Sequence, residues 1–151
     1  MMLNYINANK NDADLLISIY NAAFYDDYIR YGECPAYGRT RESLEESIHR
    51  FPKQIIYSDD LPIGVISVSN RGNGEYYLGC LCVIPEYQGK GIGTQAMKYL
   101  LEYYPDWRKI SLKTPADKKE NINFYTKKCR FIAVSSEMDG NVEVLHLQLE
   151  R

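Results

Sequence analysis

The sequence is poor in the features that would mark it as secreted, membrane-spanning, metal-holding or polyanion-binding. Among 151 residues there are four cysteines, Cys34, Cys80, Cys82 and Cys129. Their irregular spacing offers neither the paired Cys-x-x-Cys or Cys/His pattern of a zinc site nor the framework of a small disulfide-stapled domain. No metal is expected. Cys80 and Cys82 are two apart in an apolar run, so as strand residues they should face one side of a sheet as small buried hydrophobes. Histidine is scarcer still: His49 is expected to be solvated at a helix end, and His146 to pack between Leu145 and Leu147. No run approaches the ~20 apolar residues of a membrane span. The start, Met1 to Ile6, lacks the basic residues and apolar stretch of a signal peptide, so the expected location is the cytoplasm, with no membrane partner. Eighteen basic residues against twenty acidic ones leave a net charge of -2. The cation excess that displaces counterions from nucleic acid is therefore missing, and no nucleic-acid partner is expected.

What is present describes a globular chain. Apolar residues make up 45% and charged residues 25% of the sequence, and the length suits one domain over residues 1–151. Met2–Asn7 alternates like a strand. Asn11 or Asp12 can cap a helix carrying Leu15, Leu16, Ile19, Ala22 and Ala23 at helical spacing. Tyr25–Arg39 then loses the period and holds Gly32, Pro35 and Gly38, which predicts an irregular, aromatic-rich connection. Thr40 can cap a second helix with Leu44 and Ile48 on its inner face. Strands are predicted at Gln54–Tyr57, Ile63–Ser69 and Glu75–Ile84, separated by turns at Asp59–Pro62 and Asn70–Gly74. A helix over Gly93–Tyr104, a short strand at Ile110–Lys113 and a helix over Lys119–Lys128 follow. A hairpin of Phe131–Ser135 and Val142–Leu149 across Asp139-Gly140 closes the chain. Short loops in the middle imply antiparallel pairing, while the strand-helix-strand unit over residues 78–113 should pair in parallel. The fold class is thus α/β: a mixed, mostly antiparallel sheet of about seven strands flanked by about four helices.

The chemistry concentrates in Leu81-Cys82-Val83-Ile84-Pro85-Glu86-Tyr87-Gln88-Gly89-Lys90-Gly91-Ile92-Gly93-Thr94. A buried strand runs into alternate glycines that open a helix. Glycine lets backbone approach a ligand, and a helix start offers unpaired N–H groups at the positive end of a dipole. The arrangement suits a phosphate or diphosphate, with Lys90 as an added cation. An ATP or GTP phosphate loop would need Gly-Lys-Ser/Thr, which does not occur. A dinucleotide fingerprint would need glycine three residues after Gly91, where Thr94 stands.

Gln88-Gly89-Lys90-Gly91-Ile92-Gly93 resembles the Q/R-x-x-G-x-G/A motif of the GNAT N-acetyltransferase superfamily, and the approach through Pro85-Glu86-Tyr87 is similar too. Asn123-Phe124-Tyr125-Thr126-Lys127-Lys128-Cys129-Arg130-Phe131 resembles that family's second motif, a Phe-Tyr helix followed by a Gly-Phe strand entry. The predicted order of elements agrees with a GNAT-like fold. The resemblance implies transfer of an acetyl group from acetyl-CoA, the co-substrate, to a primary amine by direct attack in a ternary complex. It implies that backbone N–H groups of Gln88, Gly89, Lys90, Gly91, Ile92, Gly93 and Thr94 hold the diphosphate, and that Cys82 and Val83 pair with the pantetheine arm. It also implies a Val83 N–H freed by a bulge to stabilise the oxyanion, and Tyr125 as general acid for the leaving thiolate; a tyrosine merely packed by its ring is the alternative. Asn121 is a weaker cofactor contact, because its offset from Tyr125 is shorter than usual.

The sequence departs from the pattern twice. Arg130 stands where Gly is usual, and Cys80 stands where many relatives carry a Glu that acts as base through water. The base is therefore unassigned, with Glu75, Tyr77 and Glu33 as candidates. The acceptor wall is expected along residues 25–38, from Tyr25, Asp26, Asp27, Tyr28, Tyr31, Glu33 and Tyr37, whose carboxylates and rings suit a cationic amine. A tyrosine-rich loop packed on its own body is the other reading. Alternatives to a small or peptidic acceptor are a protein N-terminus or lysine, or a module that binds acyl-CoA without catalysis. Oligomeric state is not legible, and a homodimer stays open.

Overall fold

The computed structural model describes residues 2–151. Its elements run β1 (Leu3–Asn7), α1 (Ala13–Tyr31), α2 (Arg41–Arg50), β2 (Lys53–Ser58), β3 (Leu61–Gly72), β4 (Glu75–Val83), α3 (Ile92–Tyr103), β5 (Lys109–Pro115), α4 (Lys119–Asn123), β6 (Ile132–Asp139) and β7 (Val142–Glu150). The strands form one seven-stranded sheet in the order β1-β2-β3-β4-β5-β7-β6. β4 and β5 pair in parallel, from Glu75↔Lys109 to Tyr77↔Ser111. The β1–β2, β2–β3, β5–β7 and β6–β7 pairs are antiparallel. This is the mixed α/β sheet expected from the sequence. No helix among the described residues is long and apolar enough to cross a membrane.

The described residues group by their contacts into two compact units. One holds the residues up to Val68 with Cys80–Gly93, the other Ser69–Gly79 with Thr94–Arg151. β3, β4 and α3 each run from one unit into the other.

In the first unit Ala13, Leu16, Ile19 and Tyr20 of α1 pack with Leu44 of α2, Ile55 of β2, Val65 of β3 and Cys82 of β4. Leu16, Ile19 and Tyr20 stand at helical spacing, so one stripe of α1 covers the strands. Ala22, expected on that stripe, is exposed. The helix entry also differs from expectation. Asp12 stands at the cap position of α1 as expected but makes no side-chain capping bond to it; the bonds belong to a 3-10 turn before it, Lys10–Asp12, where the Asn9 side chain accepts from Asn11 N–H (2.9 Å) and the Asp12 carboxylate accepts from Asn9 N–H (2.9 Å). This reciprocal pair satisfies donors that a helix start leaves unpaired. α2 begins as expected, with the Thr40 hydroxyl accepting from Ser43 N–H at 3.1 Å.

The main correction concerns residues 25–31. They continue α1 instead of forming an irregular connection, and the helix stops only at Gly32, whose φ of 74° lets its N–H reach Tyr28 O at 2.9 Å. A left-handed glycine after the last turn is a common helix stop. β3 likewise runs longer than expected, because the turn into β4 tightens to Asn73 and Gly74, with φ of 56° and 77°. Consecutive positive φ values suit a two-residue hairpin.

Gly64 of β3 has a packing reason to lack a side chain. A Cβ built there would lie 2.3 Å from the carbonyl oxygen of Cys82. The β2–β3 register also steps beside it, with Ile56 opposite Gly64 and Tyr57 opposite Pro62, so Ile63 is the extra residue of a bulge. The Ile63 carbonyl accepts from Ile84 N–H at 2.8 Å, just beyond the end of β4.

In the second unit Ala96, Met97 and Leu100 form the buried stripe of α3, and Tyr76, Leu78, Trp107, Ile110, Leu112, Phe131 and Leu147 are also buried. The Tyr76 hydroxyl donates to the Asp106 carboxylate at 2.6 Å, and its ring lies 4.4 Å from that of Tyr104.

Gly64→Ala forces the Cys82 carbonyl to move. Overpacking of this kind costs about 1–3 kcal/mol, so the variant should show a lower denaturant midpoint with an unchanged slope in equilibrium unfolding.

Candidate active site

The turn from β4 into α3 is built almost entirely from main chain. After Val83 the backbone makes a single 3-10 turn over Pro85–Tyr87, with proline at its first position. There the missing proline N–H costs nothing. The Gln88 side-chain amide donates to Val83 O at 2.9 Å and ties the turn to the end of the strand. Gly89 and Gly91 then take φ of 74° and 79°, and a Cβ at either position would meet nothing within 4 Å. The space above this backbone is open. Lys90 between them is exposed, whereas Ile92, the first residue of α3, is buried. A buried first residue fixes the start of the helix, and the glycines just before it lie at the positive end of the helix dipole. These residues fit a diphosphate-bearing group such as coenzyme A. Of the other residues expected to contact such a group, Cys82 is buried, Val83 and Gly93 are half-buried and Thr94 is exposed.

A polar cluster not foreseen in the sequence lies in the first unit, around Cys80. Cys80 packs against the cluster that holds Tyr20 and Cys82, and the Lys53 and Arg39 charges act on it electrostatically. Lys53 opens β2, is buried, and donates from Nζ to Ser67 Oγ at 3.2 Å. Arg39 lies in the connection before α2 and forks onto the Oγ (2.8 Å) and carbonyl (3.2 Å) of Ser43. Hydrogen bonding from Cys82 acts most strongly to hold the Cys80 thiol below its ordinary range, followed among the lowering influences by the Lys53 charge. Cys82 is pushed up, first by its hydrogen bond to Cys80 and then by burial. Tyr20 is pushed up chiefly by burial, and burial lowers Lys53. Cys80 and Cys82 do share one side of β4, as the sequence spacing requires, but Cys80 is half-buried and polar in its company rather than a plain hydrophobe.

In the second unit Tyr125 is buried, with its ring edge-on to Phe124 (5.0 Å) and Phe131 (5.6 Å). It lies in a π-helical turn, Phe124–Lys128, that continues α4; single π turns occur often at functional sites. The turn ends with Cys129 N–H on Phe124 O (3.1 Å) and Phe131 N–H on Tyr125 O (2.9 Å). Asn121 donates from its side chain to Thr114 Oγ1 at 3.3 Å.

The tyrosines of the expected acceptor wall partly pack on one another. Tyr28 stacks on Tyr37 with centroids 4.5 Å apart, and Tyr25 lies 6.0 Å from Tyr37. Tyr25, Tyr28 and Asp26 are exposed on α1, Asp27 and Tyr31 are half-buried, and Glu33 is exposed in the loop after it. The Arg30 guanidinium sits 5.3 Å from the Tyr31 ring, and Gly38 N–H donates to Asn21 Oδ1 at 2.9 Å. Glu75, at the start of β4, faces Lys109 at 3.6 Å and is half exposed. The Tyr77 ring lies under the Arg71 guanidinium at 4.6 Å. His49 is exposed as expected, while His146 reaches Glu137 at 3.0 Å instead of merely packing. Among the described residues no group of three His, Cys, Asp or Glu could hold a metal ion.

A model of the acetyltransferase (GNAT) family matches residues 14–131. The chain belongs to the GNAT family. It is 34% identical over 93 residues to the uncharacterized protein YrkN of Bacillus subtilis strain 168, covering 58% of this chain and 49% of that protein. The chain thus spans about half the length of the curated relative it matches. Among solved structures it resembles an acetyltransferase from Thermus thermophilus, with TM-score 0.79 and 15% identity over 100% of this chain and 98% of that one. It also resembles the PaiA N-acetyltransferase of Thermoplasma acidophilum in complex with coenzyme A, with TM-score 0.74 and 18% identity over 97% and 98% of the two chains. At such identities these likenesses concern the fold.

The departure from the GNAT pattern at Arg130 has a conformational counterpart. Arg130 holds φ of 67°, the left-handed region that glycine enters without steric penalty. The chain thus takes at Arg130 a conformation that suits glycine while an arginine bears the strain. Arg130→Gly should raise stability by about 0.5–1 kcal/mol, read as a higher thermal midpoint.

Proposed function

We propose that this GNAT chain moves an acetyl group from acetyl-CoA to a primary amine by direct attack in a ternary complex. The observation that carries this reading is the pair of left-handed glycines, Gly89 and Gly91, with open space over their backbone at the mouth of α3. Backbone that bare is unfavourable for folding, and it gains from an anion that takes up its N–H groups. In this reading the amides of residues 89–94 hold the coenzyme A diphosphate, with Lys90 adding charge; the Gln88 N–H, expected among them, is given to Pro85 O at 3.2 Å. Gln88 keeps the turn in place through its bond to Val83 O. Cys82 and Val83 run alongside the pantetheine arm, and the Val83 N–H takes the developing oxyanion, where a fixed donor is worth several kcal/mol (about 3 kcal/mol for one donor). Asn121 is a further contact on the carrier.

Tyr125 serves as general acid. As the amine attacks, the thioester carbon–sulfur bond breaks and the phenol gives its proton to the departing thiolate. The edge-on contacts with Phe124 and Phe131 hold the ring in one orientation, which suits a group that must meet a sulfur at a set position.

The acceptor wall takes a cationic amine on Tyr25, Asp26, Asp27, Tyr28, Tyr31, Glu33 and Tyr37. Stacking of Tyr28 on Tyr37 supports a pre-formed aromatic surface, and Asp26, exposed on the same helix, supplies charge.

Isothermal calorimetry of the whole chain with acetyl-CoA tests the cofactor site, with heat of binding expected for the wild type and at least a tenfold loss of affinity for Gly91→Val. No heat with the wild type overturns the assignment. Tyr125→Phe should lower kcat at least about tenfold with little change in acetyl-CoA affinity; an unaltered kcat removes the acid role. Joint replacement of Asp26 and Asp27 by Asn should raise the KM for cationic amines several-fold, measured as coenzyme A release across an amine panel.

A further inference from the structure

Among the described residues β6 is the last strand of the sheet, so its outer edge has no neighbouring strand. All eight of its residues, Ile132–Asp139, are exposed. Its large apolar side chains lie open as well: Ile132 is 62% exposed, Val134 46% and Met138 64%. An edge strand offers a row of N–H and C=O groups with which another strand can pair, and proteins usually blunt such an edge with proline, lysine or an outward charge. Proline and lysine are absent from Ile132–Asp139. The charge in the body of the strand, Glu137, is engaged by its own sheet. Lys113 Nζ of β5 lies 2.9 Å and His146 Nε2 of β7 3.0 Å from its carboxylate. A bulge does stand in the strand, where Val134 slips between the pairs Ala133↔Leu147 and Ser135↔His146. It is a weak guard, because the ladder after it runs regularly to Asp139↔Val142.

The two ends of β6 carry opposite charge. Lys127, Lys128 and Arg130 stand before it, all exposed. Asp139 ends it, and Glu143 lies opposite Met138 on β7; both carboxylates are exposed. The middle of the strand, Ser135-Ser136, is small. A strand charged in this way complements a copy of itself running in the opposite direction. The basic end of each copy meets the acidic end of the other, and the small middle lets the two backbones approach. A parallel copy would set like charges side by side, which is unfavourable.

We propose that β6 is the interface of a two-fold symmetric homodimer, in which it pairs antiparallel with β6 of a second copy of this chain. Ile132 and Val134 of each copy come beside Met138 of the other, so that all three lose contact with water. Lys128 and Arg130 of each come beside Asp139 and Glu143 of the other. The same patch serves on both sides, so the assembly closes at two chains and leaves neither copy with an open β6 edge. Dimerisation through β6 does not depend on the transferase reading above.

Sedimentation of the whole chain observes the assembly directly. The wild type should run as a dimer of about twice the 17.5 kDa chain mass. Val134→Lys combined with Met138→Lys puts charge into the contact and should give a monomer with unchanged far-ultraviolet circular dichroism. A charge exchange separates pairing from any general loss of structure. Lys128→Glu with Arg130→Glu makes both ends acidic, and Asp139→Lys with Glu143→Lys makes both ends basic. Each exchanged chain alone should dimerise at least about tenfold more weakly, and an equimolar mixture of the two should recover a heterodimer. A wild type that stays monomeric at about 100 µM, where an interface of ordinary strength is well populated, overturns the proposal and leaves the β6 edge to a different partner chain. A dimer that persists in Val134→Lys/Met138→Lys overturns it too, as do exchanged chains that fail to recombine or a wild type that forms open-ended assemblies. Calorimetry with acetyl-CoA on the monomeric variant tests the cofactor site separately from these outcomes.

Discussion

How closely β3 and β4 approach governs the main chain that the chemistry needs. At Gly64 there is no room for a single methyl group, because the Cys82 carbonyl stands where it would go. The bulge at Ile63 turns its carbonyl to Ile84 N–H and so fixes the exit of β4. Two residues earlier than that bond, Cys82 is locked into the core of the first unit, and four residues after it Gln88 reaches back to Val83 O. The turn is thereby tied to the end of β4 by hydrogen bonds that use no charged side chain. Loss of the Gly64 contact would loosen strand and turn together.

The charges around Cys80 illustrate a second constraint. Lysine is rarely buried, because removing an ammonium from water is costly unless a partner of opposite charge or several acceptors compensate. Lys53 has a hydroxyl acceptor in Ser67, and burial makes its ammonium easier to deprotonate.

Much of the fold was legible in the sequence because the relevant signals are local. Alternation marked the strands, Thr40 announced α2, and the parallel step from β4 to β5 followed from an intervening helix. The glycine turn was legible for the same reason: closely spaced glycines between a strand and a helix leave few structural uses. The length of α1 was not legible, since its last turns carry tyrosines and aspartates without an apolar stripe and only the φ of Gly32 decides where it stops. Gly64 could not be singled out either, because its role depends on a strand nearly twenty residues away. The cluster on Cys80 draws on Tyr20, Arg39, Lys53 and Cys82, most of them far apart in the chain and each unremarked alone. The one clue was the cysteine itself, standing where a carboxylate is usual. At Arg130 an arginine stands where the resemblance leads one to expect glycine, and it holds the left-handed φ of 67° that glycine would take without strain.

Contact of the bare amides with the diphosphate is the central claim, and amide chemical shifts observe it most directly. In nitrogen–proton correlation spectra of the whole chain titrated with coenzyme A, the largest shifts should fall on Gly89, Gly91 and their neighbours up to Thr94. Saturating coenzyme A that leaves those amides unmoved, or that shifts a different region instead, would contradict the account.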